Sequence, residues 1–199
     1  MMGKTHMAVG AAAYAVVVPP PDKPSITELV AWLTGLAVCI IAAIAADVDD
    51  PKTYAGKLIM PFIPRWLRPT AFAVVGILAI WHGYNQSNQI LMLIGFGFFG
   101  AAISRHRNSP THSPAGLLCA CVVVYIYSPM LLIPILTGYS SHLIIDAITE
   151  GIPWAWPLPG WFKIPLFKTG GFFDVIVFRY GAVLVFLNQI IGNDISAFF

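Results

Sequence analysis

The stretch ITELVAWLTGLAVCIIAAIAA, residues 26–46, decides the fold class, because it is long and apolar enough to cross a membrane as one helix. A hydrocarbon core of about 30 Å requires about 20 apolar residues, since a helix rises about 1.5 Å per residue. The rest of the chain has the same character. Of its 199 residues 58% are hydrophobic and 10% are charged, where a soluble domain has about 25% charged residues. The composition therefore predicts an integral membrane protein.

Six further apolar segments are separated from this one by Pro, Gly and polar residues. By our length criterion only residues 26–46 reach a full span. We expect the shorter segments to thin the bilayer, to continue into polar flanks or to stop beside a protein-lined cavity. The sequence predicts one all-α domain over residues 1–199, a polytopic transmembrane bundle of about six or seven helices. The six segments cover residues 5–18, 70–84, 89–104, 114–127, 130–149 and 175–191.

The N-terminal segment is expected to be an uncleaved first helix rather than a signal peptide. Lys4 before an apolar run is typical of a leader, but His6 interrupts the run. The run also ends in three prolines at 19–21 instead of a small-residue cleavage site. The three cysteines lie inside apolar runs, which indicates small core residues rather than a disulfide framework.

Successive crossings distribute the polar ends of the helices over two faces, which we name face A, where the N-terminus starts, and face B. Of the eleven Lys and Arg residues, ten fall at or near face A and only Lys23 falls at face B. By the positive-inside rule face A is cytoplasmic. We therefore expect a prokaryotic plasma (inner) membrane protein with its N-terminus inside. The net charge of +2 disfavours nucleic acid as a partner.

Face A also collects most of the side chains that are able to do chemistry. Ionisable groups near the centre of a bilayer cost at least about 2.5 kcal/mol, so they persist where they pair, ligate or work. Four separate chain segments present such residues on this one face, and this coincidence favours a metal site. The residues in these four segments are His6, His106, His112, His142, Asp47, Asp49, Asp50, Asp146 and Glu150, and Asp174 lies on the same face.

The sharpest local signal is the pair His142 and Asp146, because helical residues four apart share a face and can hold one metal ion together. The Asp47-x-Asp49 pair adds two carboxylates at a helix end. The short loop from His106 to His112 is able to turn both imidazoles inward. The ligands exceed what a closed four-ligand zinc site requires, which suggests two metals, or one metal with an acid/base carboxylate.

Each of these signals has a plainer interpretation. The pair His142 and Asp146 alone is equally consistent with a salt-bridged polar pair. Arg107 and its neighbours are more typical of positive-inside anchors than of phosphate clamps. Asp50 and Glu150 are expected to be outside the metal shell or solvated. His82 falls at face B, and we predict that it is not a ligand.

Four motifs in order along the chain resemble the YdjM-like family of LexA-regulated, membrane-bound metal-dependent hydrolases. That family is more distantly similar to zinc-dependent phospholipase C and single-strand nucleases, which are all-helical and hydrolyse phosphodiesters with a cluster of zinc ions. The sequence departs from the family pattern at residues 108–110, where Asn-Ser-Pro follows the HR pair. The motifs are THMAVG from Thr5, DVDDP from Asp47, HRNSPTHS from His106 and GYSSHLIIDAITEGIPWAWP from Gly138.

The resemblance implies six metal-ligand candidates and two further residues of the same motifs, Asp49 and Arg107. It implies a divalent cofactor, zinc before manganese or magnesium, of one to three ions. The six candidates are His6, Asp47, His106, His112, His142 and Asp146.

Our leading hypothesis is a metal-dependent hydrolase that cleaves a phosphoester, phospholipid-like, at the cytoplasmic headgroup level, with membrane lipids as its partners. Asp49 or Glu150 would shuttle the proton, and Arg107 would steady the phosphoryl charge. One alternative is a metal-ion transporter or a non-enzymatic metal-binding membrane protein. Another is a structural or regulatory protein whose His/Asp cluster is a stability device. The substrate, the metal and the oligomeric state stay open.

Overall fold

A computed structural model describes residues 3–47, 62–64, 66–103, 110–164 and 166–195. Within these ranges 76% of the residues are helical and no strand is formed, so the all-α prediction is confirmed. Short 3-10 turns at Pro110–His112 and Pro129–Leu131 precede the fifth and sixth helices, and a π-helix, Phe173–Tyr180, runs into the seventh. The described α-helices are α1 (Gly3–Val17), α2 (Ile26–Ala45), α3 (Arg68–Asn85), α4 (Gln89–Ile103), α5 (Pro114–Tyr127), α6 (Leu132–Thr149) and α7 (Gly181–Ile195).

Three helical stretches are long and apolar enough to cross a membrane: Ile26–Ala45, Pro129–Thr149 and Phe173–Gly192. Our expectation that only residues 26–46 reach this length was wrong. The segment predicted at 130–149 already has 20 residues, and it is found as Pro129–Thr149, since a proline is tolerated in a first helical turn. The π-helix likewise lengthens α7. The helices α4 and α5, with 15 and 14 residues, remain shorter.

Local side-chain chemistry explains where several helices begin and end. Ser25 and Glu28 form a capping box at the start of α2, with each side chain accepting the other's backbone N–H at 3.3 and 2.9 Å. Ser113 caps α5 through its hydroxyl. Gly151 stops α6 two residues after its end, since its φ of 96° is left-handed and its N–H donates to the carbonyl of Asp146 at 2.7 Å.

The helices α1, α2 and α6 pack against one another and form the centre of the bundle. Helix α7 packs on α1 and α5 packs on α6, while the hairpin of α3 and α4 joins the rest through α5. Two glycines make the central contacts close. A Cβ added to Gly138 would overlap the carbonyl oxygen of Cys39, and one added to Gly10 would lie 2.7 Å from the Cβ of Ala43. The backbones of α2 and α6 are therefore in close contact at Gly138, one helical turn before His142.

Contacts between helix ends show that α6 runs in the opposite direction to α1 and to the last helix. His6 in the first turn of α1 contacts Asp146 near the end of α6, and Thr5 contacts Asp174 ahead of α7. The start of α1, the end of α6 and the start of the last helix therefore lie at one end of the bundle, which we name the site end. That the site end is cytoplasmic stays a prediction.

Candidate metal centre

Five of the six predicted ligands lie together at the site end, and none of them is more than 8% exposed. They come from the first turn of α1, the residue pair after α2, the 3-10 turn before α5 and the last turns of α6. Four distant chain segments therefore converge on one buried cluster of imidazoles and carboxylates. We name this the five-residue cluster: His6, Asp47, His112, His142 and Asp146.

One carboxylate of the cluster lies between two imidazoles. The Nε2 atom of His6 is 3.3 Å from Oδ1 of Asp146, and the Nε2 atom of His142 is 3.3 Å from Oδ2. The two imidazole rings stack with their centroids 4.1 Å apart. These three residues form a group that is able to hold a metal ion.

A second group of the same kind contains Asp47, His112 and again His142. The Nε2 atom of His112 lies 3.4 Å from Oδ1 of Asp47, and its ring meets the ring of His142 edge-on at 5.4 Å. Because His142 belongs to both groups, the two groups form one continuous cluster. Within each group the ligand atoms lie within 4.8 Å of one another.

The backbone of α2 fixes the orientation of the shared histidine. Nδ1 of His142 lies 2.8 Å from the carbonyl oxygen of Ala43, and because a carbonyl only accepts, Nδ1 must donate its proton there. The Nε2 atom is buried and, among the described residues, forms no hydrogen bond, although a carboxylate oxygen lies 3.3 Å away. With Nδ1 engaged by Ala43, Nε2 is the nitrogen that faces the carboxylate of Asp146, and it would be the atom that binds a cation held between them.

The second carboxylate is held in its ionised form. Burial raises the pKa of Asp47, but contact with the imidazole of His112 and the nearby imidazoles of His142 and His6 outweigh this effect. The pKa of Asp47 consequently lies below its ordinary value. At neutral pH this residue offers a carboxylate oxygen to the cluster.

A search of protein families gives a match over residues 1–196 to the family described as YdjM inner membrane protein. The chain belongs to this family. Searches of the curated proteins and of the solved structures gave no match to this chain. The family match confirms the YdjM part of the resemblance drawn from the four motifs, while the relationship to metal-dependent hydrolases stays a prediction. With the apolar helices, it supports an inner membrane location for this YdjM family protein.

The other predicted site residues of the YdjM family protein are placed differently. The sixth ligand candidate, His106, and the two residues Asp49 and Arg107 lie outside the described residues. Glu150 caps the end of α6, and its Oε1 accepts a hydrogen bond from the hydroxyl of Thr169. His82 lies exposed in the last turn of α3 and belongs to neither metal-binding group of the described residues.

An open cleft of about 670 Å³ lies beside the end of α6. It starts at Thr149, three residues after Asp146, and includes Glu150. Lys163 and Lys168 give it positive charge, and three phenylalanines give it an apolar wall. The segment that builds the cleft is held along α6, because the N–H of Ile164 donates to the carbonyl of Ala147 at 2.9 Å.

Sequence reasoning missed the contacts that hold the ligands. The hydroxyl of Tyr139 on α6 donates to the carbonyl of Thr111 at 2.5 Å and so ties down the turn that carries His112. Thr5, the neighbour of His6, contacts Asp174 and Arg179 of the last helix. The only signal for Thr5 in the sequence was its place in the motif THMAVG.

Proposed function

We propose that this YdjM family protein is a membrane-bound metal-dependent hydrolase that cleaves a phosphoester, most simply that of a phospholipid, at the cytoplasmic headgroup level. The spacing of the cluster carries the proposal. Its three imidazole–carboxylate separations are 3.3, 3.3 and 3.4 Å. Metal bonds of about 2.0–2.2 Å in tetrahedral geometry put neighbouring ligand atoms about 3.3–3.6 Å apart, whereas charge-assisted hydrogen bonds measure about 2.7–2.9 Å.

His6, His142 and Asp146 would hold one ion. His142 would bind only this ion, because its Nδ1 donates to the carbonyl of Ala43 and only Nε2 remains as a ligand atom. A second ion beside Asp47 and His112 would need further ligands, for which the sequence offers His106 and Asp49. Imidazole with carboxylate suits zinc, and a larger share of carboxylate and water would suit manganese or magnesium.

A divalent ion bound here would polarise a phosphoryl group and lower the pKa of water towards neutrality. Residues of the protein would transfer the proton and stabilise the developing charge. Glu150 stands at the cleft with one carboxylate oxygen hydrogen-bonded to Thr169, so it or Asp49 would move the proton. Arg107 would stabilise the charge that develops on the phosphoryl oxygens.

The cleft supports a lipid-like substrate. Lys163 and Lys168 would attract a phosphate, and the apolar wall of Phe167, Phe172 and Phe173 would accept the adjoining hydrocarbon. The excess of Lys and Arg at face A supports the cytoplasmic leaflet as the place where the substrate enters.

The proposal is tested with detergent-purified, zinc-loaded protein against a panel of phospholipids and soluble phosphodiesters, with and without a chelator. We expect turnover that the chelator abolishes and that Asp146→Asn lowers by more than about 100-fold, since even partners of metal ligands cost 10–100-fold. The matched control is Asp22→Asn, an exposed residue of the loop between α1 and α2, which should retain full activity. Bound metal without turnover, together with metal flux in vesicles, would favour the transporter instead.

A further inference from the structure

A buried polar network ties the first turn of α1 to the start of the last helix. Thr5 and Asp174 are both 0% exposed, and the hydroxyl of Thr5 donates to Oδ1 of Asp174 at 2.6 Å. Arg179 donates to the same hydroxyl oxygen through Nε at 3.2 Å and through Nη2 at 3.1 Å. A hydroxyl has one proton and two lone pairs, so these contacts use all of its hydrogen-bonding capacity. Oδ2 of Asp174 also accepts the N–H of Gly170 at 2.7 Å.

The π-helical winding explains how one threonine meets both residues. Asp174 and Arg179 are five residues apart within Phe173–Tyr180. In an α-helix, residues five apart are rotated by about 140°, because each residue turns by about 100°. The i to i+5 hydrogen bonds of a π-helix bring such residues close to the same face. The π winding thus directs the carboxylate and the guanidinium together at Thr5.

The position of Thr5 links this network to the five-residue cluster. His6 is the next residue, and both lie in the first turn of α1, where backbone N–H groups have no helical partner. His6 contacts Asp146 of α6, while Thr5 contacts the last helix, so the turn is held from two sides. Metal ligands need to be placed to within about 0.5 Å, and a first turn that frays would not achieve this.

We propose that Asp174 and Arg179 are positioning residues which, through the hydroxyl of Thr5, hold His6 in the geometry of a metal ligand. The proposal rests on the proposed metal site and assigns a purpose to the π-helix. It does not make Asp174 a ligand, since its two carboxylate oxygens are directed at Thr5 and Gly170.

The test compares Zn²⁺ affinity and the visible spectrum of bound Co²⁺ in four proteins: wild type, Thr5→Val, Thr5→Ser and Thr34→Val. Thr5→Val should weaken Zn²⁺ binding by about 10–100-fold and change the Co²⁺ spectrum, as loss of a ligand's support does elsewhere. Thr5→Ser keeps the hydroxyl and should restore both properties. Thr34 is exposed on α2 and its hydroxyl donates only locally, to Val30, so Thr34→Val is the matched control and should behave as wild type.

Arg179→Gln and Asp174→Asn extend the test if Thr5→Val does not fold, and both should weaken Zn²⁺ binding in the same direction. Folded variants with wild-type Zn²⁺ affinity and an unchanged Co²⁺ spectrum would overturn the positioning role, even if they unfold at a lower temperature. That result would leave the metal site intact. A wild-type protein that binds neither ion would instead refute the metal site itself, and the positioning role with it.

Discussion

His142 and Ala43 are joined by a hydrogen bond of 2.8 Å from the Nδ1 of the imidazole to the backbone carbonyl across the contact of α2 and α6. This bond settles which nitrogen faces the five-residue cluster. It also makes the orientation of this proposed metal ligand depend on how closely two membrane helices pack. A partner of this kind, on the nitrogen that does not ligate, is the usual support of a histidine ligand.

Substitution of Gly138 should therefore damage both stability and metal binding. In Gly138→Ala the new Cβ would overlap the carbonyl oxygen of Cys39, and relieving this overlap separates α2 from α6. We expect the free energy of unfolding to fall by about 1–3 kcal/mol, as for other overpacked cores, with weaker zinc binding. Gly97→Ala, where nothing lies within 4 Å of the added Cβ, is the matched control. Thermal unfolding in detergent that gives the same midpoint for both variants would contradict this packing.

The capping box of α2 should contribute to stability without affecting the metal. Ser25 lies at the opposite end of α2 from Asp47, and its hydroxyl accepts the N–H of Glu28. Ser25→Ala should lower the free energy of unfolding by about 1 kcal/mol. Ser25→Thr keeps a capping hydroxyl and should retain most of the wild-type stability. Zinc affinity, measured by equilibrium dialysis, should be the same in both variants. A loss of zinc affinity in Ser25→Ala would show that the two ends of α2 are coupled.

Metal removal should destabilise the protein. An ion that binds only the folded state adds about 2.7 kcal/mol when its free concentration is 100 times the dissociation constant. A chelator should consequently lower the midpoint of thermal unfolding, and added zinc should restore it. His82→Ala should keep this dependence, while His6→Ala should lose most of it, because His6 lies in the cluster and His82 does not. Equal responses in the two variants would be incompatible with the proposed ligands.

The parts of this structure that follow local rules were predictable from the sequence. Helix α2 was expected at residues 26–46 and is found at Ile26–Ala45, because its length, its apolar content and Ser25 define it locally. The contact of His142 with Asp146 followed from helical periodicity. Convergence of His6 with this pair followed from counting successive crossings.

Other parts depend on tertiary contacts that leave no pattern in the sequence. The role of the Ala43 carbonyl was not predictable, because every residue has such a group. The π winding of Phe173–Tyr180 was missed as well, since apolar periodicity does not distinguish a π-helix and its partner Thr5 lies 169 residues away from Asp174. The last span was predicted at 175–191 and is found at Phe173–Gly192, because Asp174 looks like a boundary in the sequence.

The most direct test of the central claim is the metal content of the detergent-purified protein, measured by elemental mass spectrometry in wild type, His142→Ala and His82→Ala. The account predicts at least one divalent ion per chain in wild type and in His82→Ala, and loss of one ion in His142→Ala, since Nε2 of His142 would be a ligand of the ion held with His6 and Asp146. Wild-type protein without stoichiometric metal, or a folded His142→Ala variant that retains the full wild-type content, would contradict it.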